Sequence, residues 1–283
     1  MLYLVATPIG NLSDITLRAI ETLRTCDYIL CEDTRHSKTL LDHYGIQKTL
    51  KSFHKFNENS KEDSIIEELK EGKVIALISD AGTPGISDPG TLLVQRCIAE
   101  GINVIAIPGP CAAIAALSSS GLNTDRFQFF GFLPKKSGEL QKALQEILTY
   151  PGTTICYESP FRLLEVLKCL EQLAPNRPIV IARELTKKFE ECKRGTAGEL
   201  WRSWEDQEKN VKGEIVLMIS GDTRNMQALD WVALTPEEHV EILIETYQLS
   251  RRDAIKMAAE VRGVPKRTIY KHFLSDNTNI EEI

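Results

Sequence analysis

Short apolar runs rich in β-formers alternate with amphipathic stretches from the second residue onward, and several of the runs end in glycine or proline. Leu2 to Ala6, Tyr28 to Cys31, Val74 to Ile78 and Asn103 to Ile107 read as strands. A strand apolar along both faces has to be covered on both, which is the condition of a parallel sheet lying between helices. Helical patterns fill the gaps at about 14–23 and 61–70, and a small-residue helix runs from Cys111 to Ser120.

A second series begins near Arg126. Phe127 to Phe132, Thr153 to Tyr157, Pro178 to Ala182 and Glu214 to Ile219 read as strands, with helices over about 137–150, 160–173 and 197–208. Gly, Asn, Thr and Asp cluster between Gly121 and Arg126, so the boundary between two α/β domains, 1–121 and 122–220, is placed there. The stretch 221–234 reads as a linker. Thr235-Pro-Glu-Glu then has the N-cap, the proline at the first helical position and the acidic third residue of a helix start, opening a helical module over 235–275.

Three loops stand out. Ser79-Asp-Ala-Gly-Thr-Pro-Gly-Ile-Ser-Asp-Pro-Gly90 follows a buried strand and precedes a helix; Thr7-Pro-Ile-Gly-Asn11 and Pro108-Gly-Pro-Cys-Ala112 follow two other strands. In open α/β sheets ligands bind past the strand C-termini. None of the three contains Gly-Lys-Ser/Thr or Gly-x-Gly-x-x-Gly, which sets aside a triphosphate loop and a dinucleotide fingerprint. The crevice they describe is lined by backbone groups rather than cations. It suits a ligand made of an adenine ring and an amino acid.

These segments carry a resemblance. Leu4-Val-Ala-Thr-Pro-Ile-Gly-Asn-Leu-Ser-Asp-Ile-Thr16, Cys31-Glu-Asp-Thr-Arg35, the 78–90 loop and Pro108-Gly-Pro-Cys-Ala-Ala113 resemble the tetrapyrrole methylase superfamily. With Phe130-Gly-Phe-Leu-Pro134, Tyr157-Glu-Ser-Pro-Phe-Arg162 and Ala182-Arg-Glu-Leu-Thr186, the chain resembles more specifically the bacterial small-subunit ribosomal RNA methyltransferase I family, over about residues 1–220. The resemblance implies an α/β fold of two domains, with parallel or mixed sheets flanked by helices. It further implies S-adenosylmethionine bound in the cleft between them, a homodimer, and 2′-O-ribose methylation of a cytidine in the decoding centre of 16S rRNA. By position, Pro8, Asp80, Thr83, Cys111 and Ala112 would line the cofactor site, Ala81, Gly82 and Pro84 would shape it, and Tyr157 would approach from the second domain. Tetrapyrrole-modifying relatives tend to carry a glycine-rich run in the first loop, where this chain has Thr7-Pro-Ile-Gly-Asn11.

Methyl transfer from a sulfonium is an in-line displacement, so alignment and exclusion of water should dominate, with help from a base or a cation at a weakly acidic hydroxyl. The polar residues inside otherwise apolar motifs are the candidates: Glu32, Asp33 and Arg35; Glu158 and Arg162; and Arg183, Glu184 and Lys187. Arg162, Glu184 and Lys187 are assigned to catalysis, while Arg35 and Arg183 are assigned to phosphate contacts.

The net charge of −6 on 283 residues argues against a surface that binds nucleic acid throughout, but residues 250–271 hold seven Lys or Arg against two acids. Lys256 to His272 resembles a helix-turn-helix, and Lys266, Arg267 and Lys271 on its last helix are assigned to RNA. The seven cysteines are scattered and no Cys or His pair has metal-ligand spacing, so buried reduced thiols and no metal are expected. No apolar run approaches a membrane span, and a cytoplasmic protein with no membrane partner is expected. Two other readings stay open on the residues alone. One is a methyltransferase of tetrapyrroles or another small molecule, and the other is a helix-turn-helix regulator with a ligand-sensing α/β body.

Overall fold

A computed structural model describes residues 1–54, 58–205, 212–221, 234–247 and 249–274. Strands β1 (Leu2–Val5), β2 (Tyr28–Cys31), β3 (Thr49–Ser52), β4 (Ile75–Leu77) and β5 (Val104–Ile107) form a wholly parallel sheet in the order β3-β2-β4-β1-β5. Successive side chains of a strand face opposite ways. Ile75 and Leu77 therefore join Leu2 and Leu30 in one core cluster, while Ala76 and Ile78 join Val5, Ile29 and Cys31 in another on the opposite face. Helices α1 (Leu17–Thr25), α2 (Thr34–His43), α3 (Glu58–Lys70), α4 (Thr91–Ala99) and α5 (Ala112–Ser120) connect the strands and leave this sheet.

The helix expected over 14–23 is two elements, a 3-10 turn at Leu12–Asp14 and α1 from Leu17. Thr16 is the reason: its hydroxyl accepts from the Ala19 N–H at 3.1 Å and caps α1 there. Helix α2 and strand β3 are additions to the sequence reading. Only Ser37, Leu40 and Leu41 of α2 are buried, and β3 is a polar edge strand, so neither has an apolar run to announce it.

Strands β6 (Phe127–Phe132), β7 (Thr153–Glu158), β8 (Pro178–Arg183), β9 (Glu191–Thr196) and β10 (Ile215–Ile219) form a second, mixed sheet in the order β6-β7-β10-β8-β9, with only β6 and β7 parallel. Helices α6 (Ser137–Thr149), α7 (Pro160–Leu173) and α8 (Ala197–Glu205) cover one face around Leu163, Leu167 and Trp204. The other face packs on Ala113, Ala116 and Leu117 of α5, whose small side chains let helix and sheet approach closely. Gly121, at φ 80°, ends α5 in the left-handed conformation that favours glycine. The expected helix over 197–208 is seen to Glu205; its last residues lie outside the described ones, as does most of the linker. Residues 1–221 make one compact unit.

Residues 222–283 form a second unit, in which α9 (Pro236–Tyr247), α10 (Arg251–Val261) and α11 (Lys266–Leu274) close around Val240, Ile255, Ala258 and Ile269. The reciprocal cap is present at its start: the Glu238 N–H donates to the Thr235 hydroxyl and the Thr235 N–H donates to the Glu238 carboxylate. Arg262 donates to the Leu234 and Thr235 carbonyls and to His239, which ties the end of α10 to the start of α9. Among the described residues no helix is long and apolar enough to cross a membrane.

Gly90, which leads into α4, has φ 125°, and a Cβ there would stand 2.6 Å from Leu77 Cδ2. Gly90→Ala should lower the urea midpoint, costing about 1–3 kcal/mol for the forced backbone alone. Gly72→Ala, at φ 95° with open space around it, should cost less. Equal losses would show that the Leu77 contact is without consequence.

Candidate functional site

In a parallel sheet every strand delivers its following loop to the same edge. Here the loops after β1, β4 and β5 are joined there by hydrogen bonds. The Thr7 N–H donates to the Gly82 carbonyl at 2.9 Å, and the Gly82 N–H returns to the Thr7 carbonyl at 3.0 Å. The Thr83 hydroxyl reaches the Pro110 carbonyl at 3.2 Å, linking the second loop to the third. Gly109 lies so close to Ala6 that a Cβ would come within 2.8 Å of the alanine methyl. The long loop bends four times through the left-handed region, at Gly82, Gly85, Ser87 and Gly90. Three of the four are glycines, which adopt it without steric cost.

These loops and the ends of β7, β8 and β10 enclose a cavity of about 430 Å³, inside the range of about 300–1,000 Å³ usual for small-molecule sites. Of the residues expected to form a cofactor site, Asp80, Ala81, Gly82, Thr83, Cys111, Ala112 and Tyr157 line it. Pro8 and Pro84 do not; both are buried behind the wall, where Thr7 and Gly82 are locked together. Sequence reasoning left out Ile9, Ile86, Ser87, Phe132 and Glu214, which also face the cavity. Their only signal was adjacency to the Gly/Pro motifs.

Among the described residues the walls hold five carboxylates (Glu32, Asp80, Asp88, Glu158 and Glu214) and no lysine, arginine or histidine. One oxygen of Asp80 accepts the Asp33 N–H at 3.1 Å, which orients the carboxylate from the neighbouring loop. Burial, followed by the nearby Cys111, pushes the Tyr157 hydroxyl up to about 12. Glu158 is buried with its carboxyl 3.2 Å from the Arg162 guanidinium and accepts the Ser159 N–H at 2.8 Å. Burial outweighs both contacts and raises the Glu158 pKa.

None of the three residues assigned to catalysis lines the cavity. Arg162 spends its guanidinium on the Leu133 and Pro134 carbonyls and on Glu158, so it braces the wall. Lys187 lies between Glu184 at 2.9 Å and Glu214 at 2.8 Å. Burial disfavours its charge, but the two carboxylates prevail and raise its pKa, which makes it a fixed cation rather than a base. Burial likewise opposes the Glu184 charge, yet the Lys187 ammonium and the Glu214 N–H hold its carboxyl below the usual range. Glu184 and Thr186 carry φ of 51° and 66°, a strained turn for side-chain-bearing residues. Gly10 of the first loop seats this turn, since a Cβ there would collide with the Lys187 side chain.

The residues assigned to RNA fall into two groups. Arg35 is 89% exposed but pairs with Asp33 at 2.7 Å, and Arg183 is committed to Glu191 and to the Lys212 carbonyl as a brace of the sheet edge. Lys266, Arg267 and Lys271 are exposed on α11. Among the described residues no group of His, Cys, Asp and Glu could hold a metal ion.

Residues 1–201 match the family model described as Tetrapyrrole (Corrin/Porphyrin) Methylases. The chain is 47% identical to ribosomal RNA small subunit methyltransferase I of Halalkalibacterium halodurans, over 95% of this chain and 93% of that one. It is 45% identical to the protein of the same name from Escherichia coli O157:H7, over 96% and 94%. Among solved structures it is similar to a diphthine synthase (TM-score 0.58, 16% identity, 78% of this chain and 89% of that one). It is also similar to a uroporphyrin-III-C-methyltransferase from Thermus thermophilus (TM-score 0.54, 18% identity, 77% and 93%). An α/β fold shared with these enzymes and near-full-length identity of this order lead to one conclusion: the chain is a methyltransferase that belongs to the tetrapyrrole methylases and, within them, to the ribosomal RNA small subunit methyltransferase I family.

Proposed function

We propose that the protein transfers a methyl group from S-adenosylmethionine to the ribose 2′-hydroxyl of a cytidine in 16S rRNA, acting on the small ribosomal subunit in the cytoplasm as a homodimer. The observation that carries this reading is the cavity at the joined loop edge whose charged lining, among the described residues, is carboxylate alone, in a chain of this family. The walls fit such a ligand. Carboxylates suit a molecule bearing a sulfonium and an ammonium, and they repel polyphosphates. When bound, S-adenosylmethionine supplies an electrophilic methyl on a positively charged sulfur.

The chain's own residues do the rest. Asp80, held by the Asp33 N–H, accepts hydrogen bonds from hydroxyl or ammonium groups of the ligand. Ala81, Gly82, Thr83, Cys111 and Ala112 offer a close backbone wall, with Pro8 and Pro84 as its backing. Glu158, whose raised pKa makes it the stronger base among ordinary carboxylates, takes up the hydroxyl proton. Arg162 positions Glu158, and Lys187, held between Glu184 and Glu214, orients the Glu214 carboxylate at the cavity wall. Arg35, largely exposed beside Asp33, is a secondary phosphate contact, whereas Arg183 stays a brace of the sheet edge. Lys266, Arg267 and Lys271 give the helical module its grip on RNA.

Labelled methyl donor incubated with isolated small subunits should mark the RNA in a 2′-O-methylated nucleoside that resists alkali. Absence of any label in RNA would overturn the reading. Asp80→Ala should weaken S-adenosylhomocysteine binding, measured by calorimetry, by about 1.5–3 kcal/mol, the worth of a hydrogen bond to a charged group.

Catalysis by Glu158 needs its carboxylate form. Single-turnover rates should therefore be present above its raised pKa and fall as pH drops through it, and Glu158→Gln should be slow and lose that dependence. An unchanged profile in Glu158→Gln would remove Glu158 from the reaction. Replacing Lys266, Arg267 and Lys271 together by serine should weaken subunit binding and flatten its log–log salt slope by roughly 2 to 3. An unaltered slope would exclude the module from phosphate contact.

A further inference from the structure

Side chains three apart on a regular strand face opposite ways. Phe129 and Phe132 of β6 nevertheless both touch Tyr157, with ring centroids at 4.9 and 5.8 Å and edge-on geometry. The cause is a bulge: the register of β6 on β7 shifts between Phe129 and Gly131, and Gly131 adopts φ 78°. The extra residue returns Phe132 to the side of Phe129, toward the cavity that Phe132 and Tyr157 both line. Phe132 is not buried by this turn. It stays 60% exposed at the cavity wall.

A second bare ring lies on the helix turn that is tied to the residues after Phe132. Phe161, in the first turn of α7, is 88% exposed. Its neighbour Arg162 donates to the Leu133 carbonyl at 3.0 Å and to the Pro134 carbonyl, so that turn is tied to the two residues that follow Phe132. Next come Lys135 and Lys136, both exposed, the latter paired to Glu139 at 3.1 Å. Arg162 thus links the turn that carries Phe161 to the segment that runs from the cavity-lining Phe132 into the lysine pair.

We propose that Phe132 and Phe161 form a stacking shelf for an unpaired base of the RNA substrate, holding its ribose at the cavity mouth while Lys135 and Lys136 face its phosphates. The proposal rests on the RNA methyltransferase reading. Sequence-specific recognition of single-stranded RNA relies largely on stacking its unpaired bases on aromatic side chains. A second copy of the chain would also cover the rings. Phe132, however, walls the cavity that has to admit the acceptor, and the adjoining lysines match phosphate.

The test compares Phe132→Ala, Phe161→Ala and the aromatic replacement Phe132→Trp in the full chain. Each alanine variant should lower kcat/KM for isolated small subunits by roughly 10-fold or more, chiefly through KM, as loss of one stacked base predicts. Phe132→Trp should retain most of the activity, and S-adenosylhomocysteine affinity should stay within about twofold in Phe161→Ala, since Phe161 does not line the cavity. The shelf is overturned if wild type labels RNA and both alanine variants do so equally well. It is also overturned if donor affinity of Phe161→Ala falls in step with its activity, or if sedimentation shows that the variants have lost a dimer. Failure of the wild type itself to label RNA would instead overturn the RNA reading.

Discussion

The two backbone hydrogen bonds between Thr7 and Gly82 hold the candidate site in one piece. They join loops that are 75 residues apart in sequence and that the parallel sheet brings to one edge. Loop amides at a sheet edge need partners when water is excluded. Here they find each other, and the Thr7 and Ser79 hydroxyls complete the set by bonding to carbonyls of the 79–82 turn. Gly82 can take part because its φ of 78° costs glycine nothing. Through Thr83 and Pro110 the same lattice sets the start of α5, and α5 is the helix on which the second sheet packs. The cavity's two walls are therefore registered by one continuous set of contacts.

Charge is sorted around that lattice. The charged residues of the cavity wall, among the described ones, are all acidic, and the nearby cations are neutralised or turned away: Lys187 by Glu184 and Glu214, Arg162 by Glu158 and two carbonyls. A basic excess is concentrated instead in residues 250–271, which belong to a different compact unit. Acidic and basic surface are thus carried by different units of the chain.

The parallel architecture of the first sheet was legible because its buried strands are apolar on both faces, as in Ile75-Ala-Leu77. That the three Gly/Pro loops would line one crevice was legible from their place after buried strands, while Asp80 to Thr83, Cys111 and Ala112 were singled out by the family resemblance. The cap of α9 could be read from Thr235-Pro-Glu-Glu, since capping is local chemistry. Strand β9, Glu191-Cys-Lys-Arg-Gly-Thr196, was hidden. An edge strand is stabilised by its neighbour's ladder and carries charge, so it has no apolar alternation to read.

Which polar side chains reach the cavity was decided by tertiary structure alone. Arg162, Glu184 and Lys187 look alike in sequence to Glu158 and Glu214, and only the packing shows that the last two line the wall while the first three support it. Phe132 is the sharpest case, because a single bulge reverses the face its strand position assigns it. The sequence by itself determined the sheet order's raw materials, the loop edge and the family, because these follow from periodicity, from glycine and proline, and from long specific motifs. The side chains that meet a ligand depend on backbone detours and long-range ion pairs, whose energies are set by neighbours far away in the chain.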